Sequence, residues 1–236
     1  MSAPLLSVKN VSNIYTKRKL GIFGKREEKP VLNGVNLEIN RGEIFGLAGV
    51  SGCGKTTLSR CILGLIDYSG EIRIDGVLEN NKRKITREKA GKLGAVFQDP
   101  GGALNPVKKT GWILEEPLKV NRTGSKKERQ KQLDEMLYLV GLDPSYKTRY
   151  PGELSSGQKQ RVSIASALML RPSLIIADEP VSALDVSTGA QIINLFRELN
   201  ETLGLSLLFI SHNTNLISYL CGRSAVMDQG RIVESG

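Results

Sequence analysis

The chain has 236 residues, 40% of them hydrophobic and 24% charged, and a formal net charge of +9. That length supports one large domain, or a large domain with a small helical insert, and the composition is that of a globular protein. No apolar run reaches the ~20 residues that a membrane-spanning helix needs, and Met1–Leu6 lacks the charged-then-apolar layout of a signal peptide. The chain is therefore expected in the cytosol, reaching a membrane only through partners.

Residues Leu5–Val11 and Val31–Ile39 alternate apolar and polar side chains in part, which predicts strands, with a polar loop over Leu20–Glu28 between them. Glu43–Ala48 reads as a buried strand and Thr57–Leu65 as the helix after it; Leu93–Phe97 is another short apolar strand. The glycines and prolines from Pro100 to Pro117 predict a loop-rich stretch. Ser125–Val140 then places Leu133, Met136, Leu137 and Val140 on one helical face. A helix at Gln158–Leu170, a strand at Leu174–Ala177, a long helix at Ser187–Leu203, a strand at Ser206–Ser211 and a strand pair within Ala225–Glu234 complete the order. Buried strands alternating with helices predict an α/β fold with a mostly parallel sheet flanked by helices. The expected organisation is one unit over residues 1–236. It has a core at about 1–97 and 172–236, which includes an antiparallel β part, and a helical part at about 98–171.

Cys53, Cys61 and Cys221 show no metal-ligand spacing, and their odd number argues against a disulfide framework, so they read as reduced thiols. The basic runs at 17–19, 82–84 and 126–127 leave nucleic acid, anionic lipid, nucleotide phosphates or plain solvent open as partners. Few aromatics lie among them, which gives base stacking on single strands little support.

The segment Gly49-Val-Ser-Gly-Cys-Gly-Lys-Thr56 fits G-x-x-x-x-G-K-[ST], and it lies between a predicted strand and a predicted helix. Glycines let successive backbone N–H groups turn toward a phosphate with no side chain in the way. Lys55 supplies a point charge for the β- and γ-phosphates of a nucleotide, the Thr56 hydroxyl suits Mg²⁺, and the helix adds its positive end. Gly49, Ser51, Gly52, Cys53, Gly54, Lys55, Thr56 and Thr57 are the predicted phosphate-binding residues.

The apolar strand Leu174–Ala177 runs into Asp178-Glu179. Beside a phosphate loop, Asp178 is placed to hold Mg²⁺ through water, and Glu179 to polarise the attacking water as general base. Parallel strands end along one sheet edge, so His212, after Ser206–Ser211, and Gln98, after Leu93–Phe97, are expected there too. His212 would contact the γ-phosphate and the attacking water, and Gln98 the metal and water.

Together these segments resemble the ATP-binding subunits of ABC transporters. The diagnostic piece is Leu154-Ser-Ser-Gly-Gln158, similar to the L-S-G-G-Q signature, and the resemblance covers essentially the whole chain, with Ser182–Asp185 as the D-loop. It implies a P-loop NTPase core with an N-terminal antiparallel β subdomain and a helical subdomain carrying the signature. It also implies ATP hydrolysis with Mg²⁺ and Tyr15 stacked on adenine. Ser155, Gly157 and Gln158 of one subunit would then face the γ-phosphate held by a second subunit. Ser156 stands where the family usually has glycine, and Asn213 where an aspartate commonly follows the histidine.

Lys19–Lys25, Phe97–Pro106 and Glu116–Leu118 resemble segments of the oligopeptide, dipeptide and nickel importer ATPases, and the chain most resembles the second ATPase of their pair. That resemblance implies a second ATPase subunit, in a heterodimer or a homodimer, and two transmembrane permease subunits. An extracytoplasmic solute-binding protein would be an indirect partner, no nucleic acid is expected, and the chain would sit on the cytoplasmic side of the membrane. The Gln98 loop and the helix near Ser125–Val140 are the expected docking surface for the permease. A soluble ABC ATPase acting on nucleic acid or ribosomes is the competing reading that the positive charge favours. The signature and D-loop speak against a small-molecule P-loop kinase.

Overall fold

A computed structural model describes residues 3–18, 26–79 and 86–236, in two compact units: residues 1–85 with 208–236, and residues 86–207. The segment Lys19–Lys25 and the basic run 82–84 lie outside the described residues.

In the first unit, β1 (Leu6–Arg18) pairs antiparallel with β2 (Arg26–Ile39), so both strands are longer than the alternation alone predicts. β4 (Ser69–Ile74) and β5 (Val77–Leu78) complete a four-stranded antiparallel sheet in the order β2-β1-β4-β5. Its apolar side chains Leu6, Val8, Val35, Ile39, Ile72 and Ile74 are almost wholly buried. Each contributes about 1.5–3 kcal/mol on leaving water. The buried strand β3 (Ile44–Ala48) leads to α1 (Lys55–Leu63) and pairs in parallel with β9 (Arg223–Asp228), which β10 (Arg231–Ser235) joins antiparallel. α8 (Thr214–Leu220) packs on β3: a Cβ on Gly46 would stand 2.5 Å from Ile217 Cγ2.

Gly70 opens β4 with φ +93, and a Cβ there would lie 2.3 Å from the Asn10 carbonyl oxygen. Both the backbone conformation and the space exclude a side chain. Gly70→Ala is expected to destabilise the fold by roughly 2–4 kcal/mol, readable as a lowered denaturant midpoint.

In the second unit, β6 (Leu93–Val96) and β7 (Leu174–Asp178) form a parallel pair with Val96 opposite Ala177. Helices α2 (Arg87–Lys92), α5 (Lys126–Leu139), α6 (Ser156–Leu168) and α7 (Val186–Leu203) accompany them. The stretch from Pro100 to Pro117, predicted as loop-rich, is largely helical, forming α3 (Pro100–Ala103) and α4 (Thr110–Val120). Pro100 is tolerated because it sits in the first turn behind the Asp99 cap. Pro117 gives up one N–H inside α4, yet its carbonyl accepts from both Asn121 N (3.1 Å) and Asn121 Nδ2 (2.9 Å), which holds the last turn. α5 begins at a Ser125–Glu128 capping box and buries Leu133, Met136 and Leu137, on the face that the periodicity predicts. The chain passes between the units within the buried strand β8 (Ser206–Ser211).

Glu115 on α4 is nearly buried and takes ion pairs from Lys119 (2.8 Å) and Arg129 (3.0 Å). Burial by itself pushes its carboxyl up, but the hydrogen bonds and charges of Lys119 and Arg129 outweigh burial and hold it below the usual range. Because the folded pKa is depressed, this stability is present above the unfolded value and is lost as pH falls through the folded one. Glu115→Gln should lower stability by about 1 kcal/mol at pH 7, and the gap to wild type should close on acidification below about pH 4. Melting curves against pH check this.

Candidate functional site: a phosphate loop, an acidic strand end and a capped signature helix

Between β3 and α1 the chain curls through Gly49, Gly52 and Gly54, whose φ values are 155, 80 and 116. Gly49 is pressed against β9, since a Cβ there would lie 2.4 Å from the Met227 carbonyl oxygen. Gly54 N-caps α1 without any side-chain cap, so the N–H groups of the first turn have no side-chain acceptor, and the positive end of the helix dipole lies at the loop. The Lys55 ammonium folds back over this curl, donating to Gly49 O (2.7 Å) and Val50 O (3.0 Å) with Cys53 Sγ at 3.8 Å. Lys55 and Cys53 are buried, Ser51, Gly52 and Thr56 are exposed, and Thr57 is half-buried. The loop thus holds one buried cation among backbone dipoles, a setting suited to an anion.

Tyr15 stands on β1 opposite Lys29 and is 65% exposed, so it offers a free aromatic face. It borders a concavity of about 440 Å³ together with Thr57, Arg60 and Tyr68. His212 follows β8 in the same unit and is exposed. The next residue, Asn213, caps α8: its Oδ1 accepts from Asn215 N (3.0 Å) and Leu216 N (3.4 Å), and its N–H donates to Ser211 Oγ (3.0 Å). Asparagine therefore does the capping an aspartate would do, and the backbone after His212 is fixed without the acid.

The second unit carries the other candidates. Val96 pairs with Ala177 in the parallel ladder, so Gln98 leaves β6 and Asp178-Glu179 leaves β7 at the same end of the pair. Gln98 is exposed, and Asp99 after it caps α3 through Gly101 N (2.9 Å). Asp178 is buried. Glu179 has φ +52, and its carbonyl accepts from Ser182 N (3.2 Å) and Ser182 Oγ (3.0 Å). A non-glycine residue held left-handed costs about 1–3 kcal/mol, and such strain clusters at functional sites.

Ser155 caps α6 in a reciprocal box: Ser155 Oγ accepts from Gln158 N (3.3 Å) and Gln158 Oε1 from Ser155 N (3.0 Å). Gln158 Nε2 also donates to the Tyr146 hydroxyl at 2.9 Å. Gly157 brings the start of α6 against α7, since a Cβ there would lie 2.5 Å from Thr188 Cγ2. Asp185 caps that same turn of α7 by accepting from Thr188 N (2.9 Å), and the bonds from Thr188 hold its carboxyl below the usual range. The start of α6 is thus packed on the first turn of α7 through one glycine. Ser156, first residue of α6, is exposed, so the side chain that replaces the usual glycine is accommodated without displacing a neighbour.

The loop 49–57, Tyr15 and His212 are residues of the first unit; Gln98, Asp178, Glu179 and Ser155–Gln158 belong to the second. Sequence reasoning missed the half-buried Asn13 and the buried Tyr68 near Tyr15, because a single Asn in a strand and a Tyr in a turn carry no pattern. All three cysteines are free thiols, and burial pushes Cys221 up to about 12.

The family model described as ABC transporter matches residues 32–182. The chain is 43% identical over its whole length to the dipeptide transport ATP-binding protein DppF of Haemophilus influenzae, covering 72% of that protein. It is 42% identical over 98% of its length to the oligopeptide transport ATP-binding protein OppF of Streptococcus mutans, covering 74% of it. Among solved structures it is similar to the ATP-binding cassette MJ0796, determined as a dimer in a post-hydrolysis state bound to ADP and Pi. The TM-score there is 0.82 at 32% identity, with 98% of this chain and 97% of that one covered. With a phosphate loop before α1, acids closing β7 and a capped signature helix in one chain, this protein belongs to the ABC transporter family, as one of its ATP-binding and ATP-hydrolysing subunits.

Proposed function

We propose that the chain powers uptake of peptides by an ABC importer, pairing with a second ATPase subunit and driving two membrane-embedded permeases. The observation that carries this reading is the phosphate loop and the capped signature helix within one chain that matches peptide-import relatives over its full length. Those relatives are named for dipeptide and oligopeptide transport, which favours peptide over nickel as cargo.

In this reading Lys55 releases Gly49 O and Val50 O and turns its charge to the β- and γ-phosphates, while the first-turn N–H groups of α1 bind phosphate oxygens. Gly49, Ser51, Gly52, Cys53, Gly54 and Thr57 shape and line that cradle. Tyr15 stacks on the base. The Thr56 hydroxyl and the Gln98 amide oxygen would hold Mg²⁺ directly and Asp178 through water, oxygen donors of the kind this cation prefers. Mg²⁺, when bound with the nucleotide, neutralises charge on the transferring phosphoryl group. Glu179 polarises the attacking water and takes its proton, and His212 contacts the γ-phosphate and that water.

Two subunits pack head to tail, so Ser155, Gly157 and Gln158 of one reach the γ-phosphate held by the other, with the start of α6 adding its dipole. A heterodimer is the arrangement favoured; a homodimer is the other. The helical stretch 98–171 works as the subdomain that meets the permease. Its groove of about 350 Å³, lined by Leu93, Phe97, Leu104, Ile113 and Pro117 among others, suits one amphipathic helix of a permease loop. The groove is lined from α2, β6, the Gln98 loop, α4 and α6, and the proposed docking surface takes in that groove and the neighbouring α5. No helix among the described residues is long and apolar enough to cross a membrane, and attachment at the cytoplasmic face runs through the permeases, with the solute-binding protein an indirect partner.

Purification from detergent-solubilised membranes through a tag on this chain tests the proposal. Two membrane subunits in stoichiometric amounts and a peptide-stimulated ATPase are expected. Turnover without them that is stimulated by nucleic acid would contradict it.

A further inference from the structure

The signature helix α6 opens on an uncharged capping box. Its third helical position holds Gln158, where such boxes carry either glutamate or glutamine. A glutamate there would repel the phosphates that this end of α6 is proposed to meet; an amide does not. The amide has a different weakness: its two ends are nearly the same size, and only the oxygen can accept from Ser155 N. Turned the other way, Nε2 would face that N–H, donor against donor. The Tyr146 hydroxyl fixes the orientation. It accepts from Gln158 Nε2 at 2.9 Å, which leaves Oε1 for Ser155 N at 3.0 Å. Ser155 Oγ in turn accepts from Gln158 N (3.3 Å), so the serine proton remains to be donated outward.

Tyr146 is itself held in place. It lies in the 3₁₀ turn Pro144–Thr148, which Asp143 caps by accepting from Ser145 N (2.8 Å). The Arg149 guanidinium lies over the Tyr146 ring, 4.1 Å from its centroid. The Arg149 carbonyl accepts from Thr110 N (2.8 Å) and Thr110 Oγ1 (3.1 Å), which ties the turn to the start of α4.

We propose that Tyr146 is a positioning residue for the nucleotide held by the partner subunit. It orients the Gln158 amide, and through that amide the Ser155 hydroxyl and the first turn of α6 that face the γ-phosphate. The inference rests on the head-to-tail pairing proposed above. Tyr146 and the signature share the second unit, whereas the phosphate loop for this chain's own nucleotide belongs to the first, so the effect is on the partner's nucleotide.

Steady-state ATP hydrolysis by the complex recovered through a tag on this chain tests this, with the chain as wild type, Tyr146→Phe, Gln158→Ala and the double variant. Tyr146→Phe removes one hydroxyl and keeps the ring under Arg149, so the melting curve should move little. It should lower kcat about 3–10-fold, the worth of one hydrogen bond, and leave KM for ATP unchanged. Binding of a fluorescent ATP analogue to the isolated chain should also be unchanged. Gln158→Ala should lower kcat at least as far, and adding Tyr146→Phe to it should cost nothing more, since the hydroxyl then has no amide to hold. Full kcat in Tyr146→Phe beside a slowed Gln158→Ala, or losses that multiply in the double variant, would overturn the role of Tyr146 and leave the pairing standing. Full kcat in both single variants would overturn it together with the placing of α6 against the partner's nucleotide.

Discussion

Lys55→Ala is expected to weaken ATP binding at least about 100-fold and to remove hydrolysis, because it removes the buried ammonium held within the loop. The fold should survive. The ammonium bonds groups of the loop itself, Gly49 O, Val50 O and Cys53 Sγ, and α1 starts at Gly54 without needing the lysine as a cap. Titration with a fluorescent ATP analogue measures the loss, and an unchanged melting curve separates it from unfolding. Retained binding with full turnover would remove the loop from the mechanism.

Glu179→Gln should act in the opposite way on binding. The amide keeps the size of the side chain and the left-handed backbone at φ +52, so ATP still docks, but it cannot take a proton from water. Turnover is expected to fall about 10²–10⁴-fold while ATP stays bound, which traps the closed pair. Gel filtration with ATP and Mg²⁺ should show a persistent dimer for the variant and a transient one for wild type. Normal hydrolysis by Glu179→Gln would mean another group activates the water.

Both predictions concern residues legible in the sequence, since their chemistry depends on short spacings within one turn of chain. Gly49–Thr56 and Asp178–Glu179 each sit at the end of a strongly apolar strand, and burial of those strands needs no long-range information. Other parts were hidden for physical reasons. Helix α4 lay behind Pro117, whose composition signal says loop; the last turn is held by the two hydrogen bonds that Asn121 donates to the Pro117 carbonyl. Strands β4 and β5 are short, and a glycine at φ +93 opens β4, so the pairing with β1 rather than local pattern decides them. The two compact units divide at residues 85/86 and 207/208 because β6 and β7 pack with the helices around the signature, a contact no linear reading contains. The same holds for Asn13 and Tyr68, 55 positions apart in the chain yet lining one concavity.

Two departures from the family pattern have structural answers. Asn213 caps α8 as an aspartate would, and Ser156 occupies an exposed first helical position. Gly157 is the signature position with no freedom, because α7 stands where a side chain would go.

On the proposed head-to-tail pairing, one chain supplies only half of each hydrolytic site. The most direct test is the rate of ATP hydrolysis per chain as protein concentration rises, alone and with its second ATPase subunit. The rate per chain is expected to climb with concentration and then to saturate as pairs form. A constant rate per chain from the most dilute sample upward, at full turnover, would show a self-sufficient site and contradict it.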